Sequence, residues 1–361
     1  MKQPKKALDD LMYDCRAKLH PLSGYFELTP RCSLDCKMCY VHLTDRQMKE
    51  SGSRELSTAQ WIKLIDEAYE AGMLFAILTG GECLMHKGFK EIYLHMKEKG
   101  LLITLNTNAT LLNDEYINFF RKNPPNLVKV SLYGITEDGY ENVTGHRLYH
   151  VVKENILKLK AAGLNLQISV TVSRQLYTEA TEIVRFALDN HIPYIIDMAM
   201  YDAEQETGRS RDEYDLSADE IASKYLEIRA LENKPLFHNG TIPAIPERVT
   251  DGTVARSLRC SAGRSSFTIK WTGIMQPCIM ELDDCPNAIE IGFKAAWERV
   301  TQISKDFVIP VECIDCKMQK VCSQCVFLRL NPNDFGHANP ETCKVTVAKI
   351  RNGIVKVPQD G

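Results

Sequence analysis

At 361 residues the chain has room for one large domain or two modest ones, and 44% hydrophobic with 25% charged residues is a globular rather than a disordered balance. A net charge of −3 excludes the basic footprint of a nucleic-acid binder. Residues 1–10 are charged and lack the apolar core of a signal peptide, and the longest apolar run, at 73–78, is far too short to cross a bilayer. A cytoplasmic protein with no nucleic-acid or membrane partner is expected.

Taken in order, the pattern predicts a leading helix over 5–20, then a strand at 24–29 that runs straight into a cysteine-bearing loop. Ser57 reads as the N-cap of a helix to about Ala71, with Trp61, Ile62, Leu64 and Ile65 at helical spacing. A buried strand follows at 73–79, then an amphipathic helix over 89–99 stopped by Gly100 and a strand at 101–105. A helix at 112–122 ends before Pro124-Pro125. Then come a strand at 127–132, a helix at 151–162 stopped by Gly163, a strand at 164–172, a helix at 178–190 and a strand at 192–198. Six strands, each but the last followed by a helix, demand a parallel sheet with right-handed crossovers. Spacing leaves an open doubly wound sheet and a partial barrel both in play. Either way, ligands belong at the C-terminal ends of the strands.

Residues 201–215 form a polar stretch, read as a solvated loop. Asp202, Glu204 and Glu281 could serve as a general base by position only, so the catalytic base stays unassigned. A helix over 217–232, a hairpin over 266–278 turning at Thr272-Gly273, and a helix over 293–303 complete the elements.

Of thirteen cysteines, five precede residue 84 and eight fall within 260–343, with none between. A reducing compartment argues against disulfides and for two metal-bearing regions flanking a cysteine-free middle. In the first region the run R-C-S-L-D-C-K-M-C-Y at 31–40 brings Cys32, Cys36 and Cys39 within reach of one soft metal centre. Three thiolates suit a cubane iron–sulfur cluster with one open iron, whereas structural zinc wants four closed ligands. Half a zinc site completed elsewhere, or three unconnected thiols, are the bland alternatives. In the second region Cys313, Cys316, Cys322 and Cys325 make two Cys-x2-Cys pairs, by themselves a zinc-ribbon pattern. Between the two regions, Gly80-Gly81-Glu82 closes the second strand. Glycines there admit close approach, and the carboxylate suits an ammonium partner.

Cys-x3-Cys-x2-Cys followed by an aromatic residue resembles the signature of radical S-adenosylmethionine (SAM) enzymes. The resemblance implies that Cys32, Cys36 and Cys39 hold a [4Fe–4S] cluster whose open iron chelates SAM. It places Met38 in the bulky position before the last cysteine and Tyr40 near the adenine. Gly80, Gly81 and Glu82 would bind the methionine amine, Ser131 of S-L-Y-G would touch the ribose or carboxylate, and Asn106 would also contact the cofactor. Where the family usually has proline after the glutamate, this chain has Cys83, read as a buried thiol. Arg147 sits in surroundings unlike those of a SAM-carboxylate arginine and reads as a surface residue.

The resemblance favours an α/β fold: a partial (β/α)6 TIM-like barrel over 23–215, after an N-terminal segment at 1–22. A connecting helix and linker at 216–253 would lead to a small cysteine-rich C-terminal SPASM-type domain and tail at 254–361. The seven-cysteine arrangement, though its last pair is spaced by two residues rather than three, is similar to the SPASM extension with two auxiliary [4Fe–4S] clusters. Cys313, Cys316, Cys322 and Cys343 would hold the distal one. Cys260, Cys278 and Cys325 would hold the nearer one, left open or completed by Cys285; Cys15 has no role. The implied chemistry is reductive cleavage of SAM to a 5′-deoxyadenosyl radical, fed by a donor such as flavodoxin or ferredoxin, and hydrogen abstraction from a peptide substrate during ribosomal peptide maturation, for example in crosslink formation. Small-molecule dehydrogenation and sulfatase-type formylglycine formation are alternatives, and a non-enzymatic zinc or electron-transfer protein is the reading from a different class. Only about 24 residues precede the first strand, too few for a leader-peptide recognition domain.

Overall fold

Alternation within single strands decides between the two sheet architectures. In a computed structural model describing residues 4–199, 213–232, 260–279, 284–306, 310–318, 321–322, 325, 330–331 and 334–357, six strands run parallel. They are β1 (Ser23–Glu27), β2 (Phe75–Thr79), β3 (Leu102–Thr107), β4 (Leu127–Ser131), β5 (Leu166–Thr171) and β6 (Tyr194–Asp197), in sequential order across the sheet. One face carries Phe26, Leu78, Leu105, Val128, Val130, Ile168 and Val170, all fully buried. The helices supply matching buried stripes: Trp61, Leu64 and Ile65 of Thr58–Glu70, Ile92 and Met96 of Phe89–Glu98, Val152 and Ile156 of Tyr149–Ala161. Each such side chain contributes about 1.5–3 kcal/mol of burial.

The opposite face carries Phe75, Ile77, Leu102, Leu127 and Ile195 but turns polar toward the C-terminal ends of the strands. Glu27 pairs with Thr79, Asn106 with Lys129, Lys129 with Gln167, Ser131 with Ser169, and Thr171 with Asp197, and register partners share a face. A doubly wound sheet is apolar on both faces because helices cover both. Here one face is uniformly apolar and buried while the other gathers polar and charged residues at the strand ends, as in a sheet curled with that side inward: a partial (β/α)6 barrel.

The helices are α1 (Pro4–Ala17), α2 (Asp45–Ser51), α3 (Thr58–Glu70), α4 (Phe89–Glu98), α5 (Asp114–Lys122), α6 (Glu137–Thr144), α7 (Tyr149–Ala161) and α8 (Ala180–Asp189). Ser57 caps α3 in a reciprocal box with Gln60, as its sequence predicts. Of these eight, two were not foreseen. The short α2 has its own Thr44–Gln47 capping box, and α6 starts at Thr136, whose hydroxyl accepts from Gly139 N.

The hairpin at 266–278 forms, but on the barrel. Its first strand, β7 (Ser266–Ile269), pairs in parallel with β1, and β8 (Met275–Gln276) pairs antiparallel with β7. The ring of Phe267 meets Phe26 edge-on at 6.0 Å and Phe293 at 5.0 Å. Gly24 makes room: a Cβ there would lie 2.6 Å from the Phe267 ring. Residues 262–304 therefore form one compact unit with 1–215, where the sequence division had placed them beyond residue 254.

The second unit comprises 216–261 and 305–361. Its helices Ala218–Leu231 and Pro340–Arg351 pack through Ala222 and Ala348, joined by Ile354. Leu330–Asn331 and Asp334–Ala338 form a small antiparallel ladder. Most of the polar stretch at 201–215, with Asp202 and Glu204, lies outside the described residues, as does Glu281. Among the described residues no helix is long and apolar enough to cross a membrane.

Candidate active site

The cysteine loop leaves β1 and is closed at its base by Leu43 N donating to Pro30 O at 3.2 Å. Leu34, Val41 and Leu43 turn inward as a small apolar foot, each at most 4% exposed. One side of the loop rests on the end of α6: Asp35 N donates to Thr144 O at 2.9 Å and Lys37 N to Val143 O at 3.0 Å. Carbonyls in a helix's last turn lack intrahelical partners, and here the loop backbone supplies them. Cys36, held between those two bonds, is buried, while Cys32 and Cys39 are half-buried.

The turn after β2 lies along the start of this loop. Gly81 N donates to Thr29 O at 2.7 Å and Glu82 N to Arg31 O at 2.8 Å. A Cβ on Gly81 would fall 2.3 Å from the Arg31 carbonyl oxygen, and Gly80 has φ +130° with Thr29 O 2.5 Å from its Cβ position. The glycines thus serve chain-to-chain approach beneath the cysteines. Opposite, Arg31 makes a two-pronged ion pair with Glu55 at 2.7 and 2.8 Å, and Thr29 Oγ1 donates to the same carboxylate.

Glu82 is fully buried and turned into the protein. Its Oε2 accepts from Thr107 Oγ1 at 2.9 Å and Asn108 N at 2.8 Å, and its Oε1 from Leu84 N at 3.2 Å. Burial raises its pKa, and the surrounding donors pull in the other direction. Glu82 thereby ties the end of β2 to the end of β3. From there Asn108 Nδ2 donates to Cys32 Sγ at 3.4 Å and to Ser33 Oγ at 3.1 Å. Asn108 was missed by sequence reasoning, although it stands at a strand end in N-T-N beside the proposed Asn106. The Cys32 thiol is pushed up to about 12, first by burial and also by the charges of Glu82 and Cys39.

At the next strand end, Ser131 hydrogen-bonds the Tyr133 phenol, whose pKa burial raises and the three loop thiols raise further. The ends of β1, β2, β3 and β4 therefore converge on one region. Asn106 presents there a buried Oδ1 with no hydrogen-bond partner. Tyr40 is half-buried on the loop. Cys83 is a buried thiol, its Sγ donating to Asn106 O at 3.4 Å. Arg147 is an exposed arginine paired with Asp138 at 2.6 Å and Glu141 at 2.8 Å. Cys15 is buried in α1.

The downstream cysteines are all half-buried free thiols. Cys278 and Cys285 lie in the barrel unit, where Met275 N donates to Pro286 O at 2.8 Å and so sets the Cys285 segment beside β8; Cys278 adds to the upward shift of the buried Tyr25 phenol. Cys260, Cys313, Cys316, Cys322, Cys325 and Cys343 lie in the second unit. There Thr346 Oγ1 donates to Cys322 Sγ at 3.3 Å, which places Cys322 against the helix that carries Cys343. Among the described residues no three His, Cys, Asp or Glu side chains converge as ligands of a single metal ion.

Three thiols on one closed loop, beside an unpartnered buried amide oxygen, are a donor set that fits a thiolate-held cluster with a polar cofactor next to it. Fold and site together define a radical SAM domain, and residues 26–187 match the model of the Radical SAM superfamily. That match brings SAM and a [4Fe–4S] cluster as the domain's cofactors. Among individual proteins, the chain is 29% identical over 170 residues to a PqqA peptide cyclase of Bradyrhizobium diazoefficiens, an alignment covering 47% of this chain and 44% of that one. The chain thus spans about half the length of that relative. An AdoMet-dependent heme synthase of Methanosarcina barkeri is 25% identical over 321 residues, 83% of this chain and 89% of the relative. Streptococcus suis SuiB bound to S-adenosylmethionine superposes with a TM-score of 0.69 at 17% identity, covering 95% of this chain and 83% of SuiB. SuiB has also been solved with its precursor peptide SuiA, and that complex superposes at a TM-score of 0.68.

Proposed function

We propose that this protein is a radical SAM enzyme of the SPASM type that abstracts a hydrogen atom from a peptide during ribosomal peptide maturation, forming a thioether or other crosslink. The observation that carries the reading is the closed cysteine loop after β1, tied through Asn108 and Glu82 to the ends of β2 and β3. Bound together, the cluster and SAM supply a 5′-deoxyadenosyl radical by one-electron cleavage of the sulfonium. The residues of the chain hold and shield that chemistry. Cys32, Cys36 and Cys39 ligate the cluster, and the Asn108 amide donates to the Cys32 sulfur, a contact that favours the thiolate. Asn106 offers its free oxygen to a cofactor donor, Ser131 and Tyr40 flank the same region, and Gly80 and Gly81 keep the β2 turn tight against the loop. Glu82 acts on the cofactor's ammonium through its charge and through the turn it holds in place.

Cys313, Cys316, Cys322 and Cys343 are proposed to hold a distal auxiliary cluster, and Cys260, Cys278 and Cys325 a nearer one, open or completed by Cys285. These clusters would accept the electron left on the substrate after hydrogen abstraction, and a flavodoxin or ferredoxin would feed the first cluster. The likenesses to a peptide cyclase and to SuiB support a peptide substrate. One observation favours a second reading, a small-molecule substrate: the heme synthase aligns along most of both chains, whereas the cyclase aligns along less than half of either.

Anaerobically reconstituted protein given dithionite and SAM is expected to release 5′-deoxyadenosine. Replacing Cys32, Cys36 and Cys39 together by alanine should abolish it. Persistent cleavage in that variant, or zinc in place of iron on metal analysis, refutes the reading.

A further inference from the structure

The inner face of the barrel carries a positively charged group that the cofactor assignments leave unused. Lys129 is the middle residue of β4, between the fully buried Val128 and Val130 whose side chains pack on the helix side. Its own side chain therefore points into the concave face. Its register neighbours are Asn106 on β3 and Gln167 on β5. Strands lie about 4.8 Å apart, so the three polar side chains span roughly 10 Å of one tier. The unpartnered oxygen of Asn106 is an acceptor and is assigned above to the cofactor, so the donors left in this row are the Lys129 ammonium and the Gln167 amide N–H.

The Lys129 ammonium is half-desolvated, which favours its neutral form. The counter-charge acting on it is Asp197 on β6, which lies outside ion-pair range and accepts a hydrogen bond from Ala199 N. The other acid of the inner face, Glu27, sits three strands away on β1, roughly 14 Å across the sheet. A desolvated ammonium lacking a close ion pair among the described residues, beside the Gln167 amide, is arranged for an anion small enough to enter the barrel. An ammonium and an amide N–H side by side match the two oxygens of a carboxylate better than they match a spherical ion.

The tier also has a suitable height. Lys129 lies two residues before Ser131, about 6.6 Å below that residue and level with Asn106, the lower edge of the proposed cofactor contacts. An acidic side chain anchored there would hold its own carbon chain beneath the radical source.

Resting on the proposed radical chemistry, we infer that Lys129, beside Gln167, is a specificity residue that binds a carboxylate of the substrate. That carboxylate could belong to a Glu or Asp side chain of a peptide or to a small carboxylic acid.

Four probes test this on reconstituted, SAM-loaded protein by calorimetric titration: the peptide acetyl-Ala-Ala-Glu-Ala-Ala-amide and its Gln twin, and N-acetylglutamate and N-acetylglutamine. At least one Glu probe should bind wild-type protein about tenfold or more tightly than its Gln twin, the contrast expected for a charge-assisted contact. Which pair shows the contrast tells a peptide from a free acid. The preference should vanish in Lys129→Gln and Lys129→Met and persist in Lys129→Arg. Two uncharged variants guard against one failing to fold. Equal binding of the twins, no binding of either Glu probe, or a preference that survives in Lys129→Gln overturns the assignment. Release of 5′-deoxyadenosine by the wild type is scored separately, so failure of the radical reading is distinguishable from failure of the carboxylate site.

Discussion

Replacing Gly81 by alanine adds one methyl group at the most crowded backbone contact of the site. The new Cβ would lie 2.3 Å from the Arg31 carbonyl oxygen and 2.7 Å from both the Arg31 carbonyl carbon and the Pro30 oxygen, so the cysteine loop must retreat by roughly 0.7 Å. All three atoms are backbone, so no rotamer change relieves the clash. Retreat also stretches the Gly81 N to Thr29 O and Glu82 N to Arg31 O bonds, now 2.7 and 2.8 Å. Overpacking costs about 1–3 kcal/mol, and two weakened hydrogen bonds add about 1–2 kcal/mol. The expected destabilisation is therefore about 2–5 kcal/mol. Urea unfolding of the metal-free chain, followed by tryptophan fluorescence, measures it cleanly because Trp61, Trp271 and Trp297 all lie in the barrel unit. A loss below about 0.5 kcal/mol would refute the claim that the β2 turn and the cysteine loop are mutually locked.

Two more outcomes concern titration. The folded-state pKa of Glu82 is raised above its ordinary 4.5, so the folded chain binds that proton more tightly than the unfolded chain does. Its contribution is fully present below about pH 4.5 and lost as pH climbs through the raised value; stability of Glu82→Gln against pH should lack that decline. In the metal-free protein Cys32, pushed up to about 12 against an ordinary 9.0, should react with iodoacetamide at pH 8 roughly 100- to 1,000-fold more slowly than an unhindered thiol, read by mass spectrometry. A rate equal to that of an exposed cysteine would contradict the buried setting.

The parts of the fold that rest on periodicity were legible in the sequence. Ser57 marked the start of α3, and Gly273 marked the hairpin turn, where it stands at φ +91°. The choice of barrel over open sheet was also written in the chain, as the alternation V-K-V-S in β4 and Q-I-S-V-T in β5, and it needed the two faces to be compared rather than the strands to be counted. The short helix α6 was hidden by its length of eight residues and by Gly139 within it, yet its last turn holds the cysteine loop. Glu82 shows the limit of motif reading. Its position in the chain could be read, but the inward turn toward Thr107 and Asn108 depends on how the ends of β2 and β3 meet. The parallel partner of β1 was equally invisible, because no local pattern says that a downstream hairpin will join an upstream strand.

That pairing has a consequence for biosynthesis. Ser23 and Ser266 are register partners about 240 residues apart in the chain, with Ser23 N donating to Ser265 O, so while the ribosome is still making the middle of the protein, β1 has one open flank. The nascent sheet displays an unsatisfied row of amides and carbonyls beside the very strand that leads into the cysteine loop, and only the late arrival of β7 covers it. A chain stopped before residue 262 would hold all six parallel strands with a sticky border, and it should accumulate as aggregate rather than as a smaller working domain.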